Sequence, residues 1–164
     1  MAWKIHREIV LLLGWGRAIL LQFAHPLVAQ GVAEHSVFVS QPAARLDRLR
    51  STIDSMLALT FGDAAESARA LGRINAIHDR VHGELQFSAG AFAKGTVYSA
   101  RDAELLKWVH ATLLDSFILT YERCVGLLST EEKDAYCFES AGIEQLLGIP
   151  AGYLPRSLSE LHQY

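Results

Sequence analysis

Cysteine is scarce, with two in 164 residues, and Cys124 and Cys137 lie in separate helical patterns without CxxC spacing. That leaves neither a disulfide framework nor a thiolate zinc site, and reduced thiols in an intracellular, cytoplasmic protein are the simplest expectation. Excess positive charge is also missing. Lys and Arg number 15 against 18 Asp and Glu, for a formal net charge of −3, so the basic footprint of a nucleic-acid binder is absent and no nucleic-acid partner is expected. Nor is there a clean apolar run for a membrane span. Ile9 to Ala33 approaches the ~20 residues a bilayer requires, but it carries Arg17, the His25-Pro26 pair, Gly14, Gly16, Gln22 and Gln30. A mid-span charge and a helix-breaking proline are both costly in lipid. Glu8 and Arg17 bracket too short an apolar run for a signal peptide, and no small-residue cleavage site follows cleanly. Two buried helices meeting near His25 are expected instead, with peripheral membrane contact left open. Missing too are a sustained period of two, G-x-G-x-x-G after a strand, a Walker loop and G-x-S-x-G.

What remains is an apolar composition, 51% hydrophobic and 20% charged, in a chain of about one domain's length. Nearly every long segment repeats its apolar residues at i, i+3, i+4 and i+7, which predicts an all-α, single-domain bundle of about six helices. The first is expected over Ile5–Phe23, and a short second one opens with Pro26 in its first turn and ends near Glu34-His35. A third covers Ala43–Phe61, with Gly62 as its C′ residue. A fourth covers Ala64–His82, stopped by Gly83. Residues 84–98 have no helical period and read as a long loop. Asp102 caps a fifth helix to about Val125 whose stripe is Leu105, Leu106, Val109, Leu113, Phe117 and Ile118. Ser129 and Glu132 form a capping box for a helix ending at Gly148, and Ser157 begins one more helical turn.

Four of the seven histidines fall in these apolar segments: His25, His35, His78 and His110. A buried imidazole without a partner costs roughly 1–3 kcal/mol, so each must find a hydrogen bond or a metal. His78 is the leading ligand candidate, since Ile74 and Val81 give it a dry wall of the kind a haem-ligating imidazole has. His25, His35 and His110 are expected to be mainly structural, held by buried hydrogen bonds. His78 and His82 have the spacing of a zinc-hydrolase helix, but Asp79 replaces the glutamate of H-E-x-x-H. Arg48 and Thr52 lie one turn apart on a flank of the third helix, where a guanidinium could clamp a propionate or carboxylate or simply snorkel over the core. Glu34 could supply a base or merely end its helix.

Several long segments are specific: LLLGWGRAILLQFAHPLVAQGVAEHSVF (Leu11–Phe38), RLRST (Arg48–Thr52), FGD (Phe61–Asp63), IHDRVHG (Ile77–Gly83), YSARDAELLKWVHATLLDS (Tyr98–Ser116) and LLGIPAGYLP (Leu146–Pro155). In order and spacing they resemble the catalytic domain shared by the rubber oxygenases of the latex clearing type and the mycophenolate-pathway, mpaB-type oxygenases. The resemblance implies an all-α, globin-like haem fold, a b-type haem with its iron on His78, and Arg48 and Thr52 near that haem. His35 and His110 are further candidates for cofactor contact, and Arg48, Thr52 and Glu34 are the catalytic candidates. The implied partners are O2 and an apolar, isoprenoid-type small molecule. Some rubber oxygenases place a distal lysine ligand just before that threonine; Ser51 stands here, so closure of the site by lysine is not expected. The family domain continues through further helices, so the chain is expected to be C-terminally shortened. The rival reading is a helical binding module without catalysis, its histidines satisfied within the core.

Overall fold

The computed structural model describes residues 1–35 and 42–164, and the side chains of all of these except 42–46 and 48. Among them the helices are α1 (Ala2–His6), α2 (Leu11–Phe23), α3 (Pro26–His35), α4 (Pro42–Phe61), α5 (Ala64–His78), α6 (Ala103–Cys124), α7 (Thr130–Ser140), α8 (Glu144–Leu147) and α9 (Leu158–Gln163). A 3₁₀ turn spans Ala141–Ile143, and strands β1 (His82–Glu84) and β2 (Val97–Ser99) make one small sheet. The chain is therefore mostly helical, as the apolar periodicity predicts. It divides into two compact units, residues 1–23 with 103–164, and residues 24–102.

The first unit is built on α6. Leu114, Phe117, Ile118 and Tyr121 of that helix are buried with Ile5, Leu11, Leu128, Tyr136, Cys137 and Leu161. The α2 helix approaches it closely at Gly14, where a Cβ would stand 2.9 Å from Thr120 Oγ1 and 3.0 Å from Phe117 Cδ1. Arg17, the charge that spoils a membrane span, pairs with Asp115 at 2.6 Å and donates to Ser116 Oγ at 2.8 Å. The capping box at Ser129 forms as expected, Glu132 N donating to Ser129 Oγ at 3.2 Å and Ser129 N to Glu132 Oε2 at 3.0 Å.

Two long helices expected in this unit are broken. The first stops at His6 and resumes at Leu11, because α1 is tied to α7: His6 Nε2 and Tyr136 Oη share a hydrogen bond at 2.8 Å and Lys4 reaches Glu132 at 2.5 Å. The last expected helix tightens to a 3₁₀ turn at Ala141–Ile143 before α8, which ends at Gly148 in the left-handed region, φ 74°. The expectation that the first helix is wholly buried also fails. From Ile9 on, its sequence is apolar apart from Arg17 and Gln22, but it packs on α6 through one face, so Ile9 (81% exposed), Leu13 and Leu20 face outward. Among the described residues no single helix is long and apolar enough to cross a membrane.

In the second unit α3 opens with Pro26, as its fixed φ favours, and α4 packs against α5. Gly62 is not left-handed as expected of a C′ glycine. It is needed for closeness, since a Cβ would lie 2.4 Å from Ala58 O. Asp63 caps α5 in a reciprocal box with Glu66. The α5 helix ends at His78, four residues short of the expected stop, because the chain turns into β1. There His82, Gly83 and Glu84 pair antiparallel with Ser99, Tyr98 and Val97. The supposed loop 84–98 thus begins and ends in a hairpin whose three-residue strands are too short to leave a period-two signal. Leu49 and Leu57 of α4 are exposed.

Candidate functional site

His78 closes the last turn of α5, half-buried, with Nδ1 buried and without a hydrogen-bond partner among the described residues. Burial lowers its pKa; the Arg101 charge lowers it further and Asp79 opposes this, so the imidazole is neutral at pH 7 and offers a lone pair. The turn around it is pinned from outside. Arg101 donates through Nε to Asp79 Oδ1 at 2.8 Å, through Nη1 to Asn75 Oδ1 at 2.8 Å and through Nη2 to the Asn75 carbonyl at 3.2 Å. One guanidinium therefore holds the residues on both sides of His78, and Ala100 N donates to Val81 O at 2.8 Å just beyond.

The same hairpin holds the end of α3. Tyr98, buried at the middle of β2, donates its hydroxyl to Glu34 Oε2 at 2.5 Å, while Gln30 Nε2 donates to Glu34 Oε1 at 2.7 Å. The bond from Tyr98, then that from Gln30, keeps the Glu34 carboxyl below the ordinary carboxylate range. Close packing makes this geometry possible. A Cβ on Gly31 would stand 3.2 Å from Val81 Cγ1 and 3.3 Å from Tyr98 Cε2, and one on Gly83 would stand 2.8 Å from Tyr98 Oη. His35 is exposed, not buried as expected, and its Nε2 donates to the His82 carbonyl at 3.1 Å.

The remaining candidates are placed as follows. Thr52 is exposed on α4, and the Arg48 side chain lies outside the described residues. His25 packs its ring 5.1 Å from that of Phe92. His110 belongs to α6 in the other unit. Its Nε2 is buried without a partner among the described residues, contrary to the hydrogen-bonded role expected for it, and burial lowers its pKa to about 4. A groove of about 410 Å³ between α4 and α5 is lined by Leu57, Phe61, Glu66, Arg69 and Arg73 and by none of the predicted site residues. No group of three or more metal-ligating side chains occurs among the described residues. Sequence reasoning missed Tyr98 and Arg101; both lie in or beside the quoted Tyr98–Ser116 segment, which flagged the stretch without saying what either residue holds.

Residues 3–164 match the family described as ER-bound oxygenase mpaB/B'/rubber oxygenase, catalytic domain. The chain belongs to this family. As an mpaB/rubber oxygenase catalytic domain it falls in an oxygenase class, whose co-substrates are O2 and a small molecule. The match runs through both compact units of the mpaB/rubber oxygenase domain and includes every candidate residue named above. No curated protein and no solved structure matches the chain.

Proposed function

We propose that the chain is a haem-b-dependent oxygenase in which His78 is the iron ligand and the substrate is an apolar molecule of isoprenoid type. The observation that supports it most is the state of His78: a neutral imidazole with a buried, unsatisfied nitrogen at a pinned helix end, in a chain of an oxygenase family. Leaving that nitrogen bare costs roughly 1–3 kcal/mol, and a neutral imidazole is the form that binds iron, so the residue fits a haem ligand. When bound, haem would supply O2 activation, and His78 would hold its iron and tune it.

The chain's own residues do the rest. His78 keeps its lone pair because burial holds it neutral. Arg48 and Thr52, one turn apart on α4, bind and orient a propionate or the polar end of a ligand. Glu34 is the proton acceptor at Oε1 or Oε2, and Tyr98 and Gln30, which lower its basicity, fix its direction. We read residues 1–164 as one oxygenase domain, because the family match crosses both units.

Purified protein reconstituted with haem should turn red-brown with a Soret band. His78→Ala should lose that band while keeping its helical circular dichroism. A preparation that stays colourless after haem addition, or a His78→Ala variant that keeps the band, overturns the proposal.

A further inference from the structure

The segment from Tyr98 to Arg101 touches both ends of the candidate site: its first residue holds Glu34 at the end of α3, and its last holds the terminal turn of α5. The grip on α5 is the more informative. A single exposed ion pair such as Arg101 with Asp79 contributes little by itself. Here the planar fork also takes the side-chain and main-chain oxygens of Asn75, so one rigid group spans residue 75 to residue 79. His78 lies between those two anchors and has no bond of its own on Nδ1 among the described residues to fix the ring. Its orientation therefore follows the backbone turn, which Asp79 N to Asn75 O at 3.0 Å and Val81 N to His78 O at 3.3 Å close from within and Arg101 holds from outside. Lysine, a point charge, could not hold both sites at once.

We propose that Arg101 is a positioning residue for His78, a guanidinium clamp that fixes the last turn of α5 and so aims the imidazole. The chemistry of that aim rests on the haem reading above, but the clamp itself can be judged without haem. Metal-ligating histidines are ordinarily oriented by outer partners whose loss costs 10–100-fold in affinity. In this chain the outer partner acts through the backbone instead of through the ring.

The test uses the full chain with ¹⁵N-labelled histidine, the His78 ring signals being assigned by their loss in His78→Ala. In the haem-free protein, Arg101→Gln should shift and broaden those signals, whereas Arg73→Gln, an exposed arginine on the same helix, should leave them in place. In the reconstituted protein, Arg101→Gln should release haem to an excess of a tighter haem-binding protein about tenfold faster or more, with Arg73→Gln again unchanged. Should Arg101→Gln fail to fold, Asp79→Ala removes one arm of the clamp and should give a smaller effect of the same kind. Unmoved His78 signals in a folded Arg101→Gln or Asp79→Ala variant overturn the clamp. If His78→Ala retains haem while Arg101→Gln still moves the ring signals, the clamp stands and the ligand assignment fails.

Discussion

Tyr98 and Glu34 are 64 residues apart in the chain, and the hydroxyl of one meets the carboxylate of the other across 2.5 Å. The contact joins β2 to the end of α3, and it is the largest single reason that the Glu34 carboxyl sits below the ordinary range. Tyr98→Phe keeps the ring and removes the donor. The Glu34 carboxyl, followed by its ¹³C shift against pH, should then titrate at a higher pH than in the unaltered protein. An unchanged Glu34 titration would mean that the hydroxyl does not govern this carboxylate in solution.

Glycine serves two different ends in this unit, and substitution separates them. Gly83→Ala puts a Cβ 2.8 Å from Tyr98 Oη and 3.1 Å from Glu34 Oε2, and overpacking of that kind costs about 1–3 kcal/mol. Gly72→Ala, inside α5 with nothing within 4 Å of the new Cβ, should instead stabilise by roughly 0.5–1 kcal/mol through helix propensity. Urea denaturation midpoints moving in opposite directions would bear this out; a shared direction would contradict it.

The helical character was legible because it rests on local signals. The Ser129 and Glu132 box, Pro26 at a helix start, the stripe of α6 and the left-handed Gly148 all follow from residue type and spacing over a few positions. The breaks were not legible, because their causes are distant. His6 stops α1 by meeting Tyr136, and α5 ends at His78 where Arg101 catches Asp79 and Asn75. Three-residue strands carry too little alternation to compete with the glycines and small residues around them. His78 could be singled out from its apolar neighbours, and the resemblance supplied the metal proposed for it. Tyr98 and Arg101 could not, since a tyrosine and an arginine in a loop have no pattern that names their partners.

Glu144 was hidden for the same reason. It is 3% exposed, and it holds the C-terminal tail by accepting from Leu154 N at 2.7 Å, Gly152 N at 2.9 Å and Arg156 Nη2 at 2.7 Å. Burial alone would raise its pKa, but these donors outweigh that and leave it lowered. Glu144→Ala orphans the buried Leu154 amide and releases the Gly152 amide and the Arg156 guanidinium to solvent, and should cost about 1–3 kcal/mol in urea denaturation. Glu144→Gln keeps an acceptor for one amide and should cost clearly less. Equal, small losses in the two variants would show that the tail is held by packing alone.

The pH response of stability follows from histidines that stay neutral when buried. Burial lowers both His6 and His110 to about 4 from an ordinary value near 6.5. His25 and His78 are shifted in the same direction, again chiefly by burial. The unfolded chain takes up protons as pH falls through about 6.5, and the folded chain refuses them until near 4, so the stability these residues support is full above pH 6.5 and is lost progressively below it. The lowered carboxylates act in a different window, beneath their ordinary value near 4.5, and leave pH 5 to 6.5 to the histidines. Each fully buried imidazole contributes a slope of up to about 1.4 kcal/mol per pH unit there. His110 offers the clean test, because its buried Nε2 has no partner to orphan among the described residues. His110→Leu should leave stability at pH 7 unchanged or raised, and should flatten the fall between pH 6.5 and 5 measured by urea midpoints. A variant that is destabilised at pH 7, with the slope intact, would place a bonded or ligated histidine at that position.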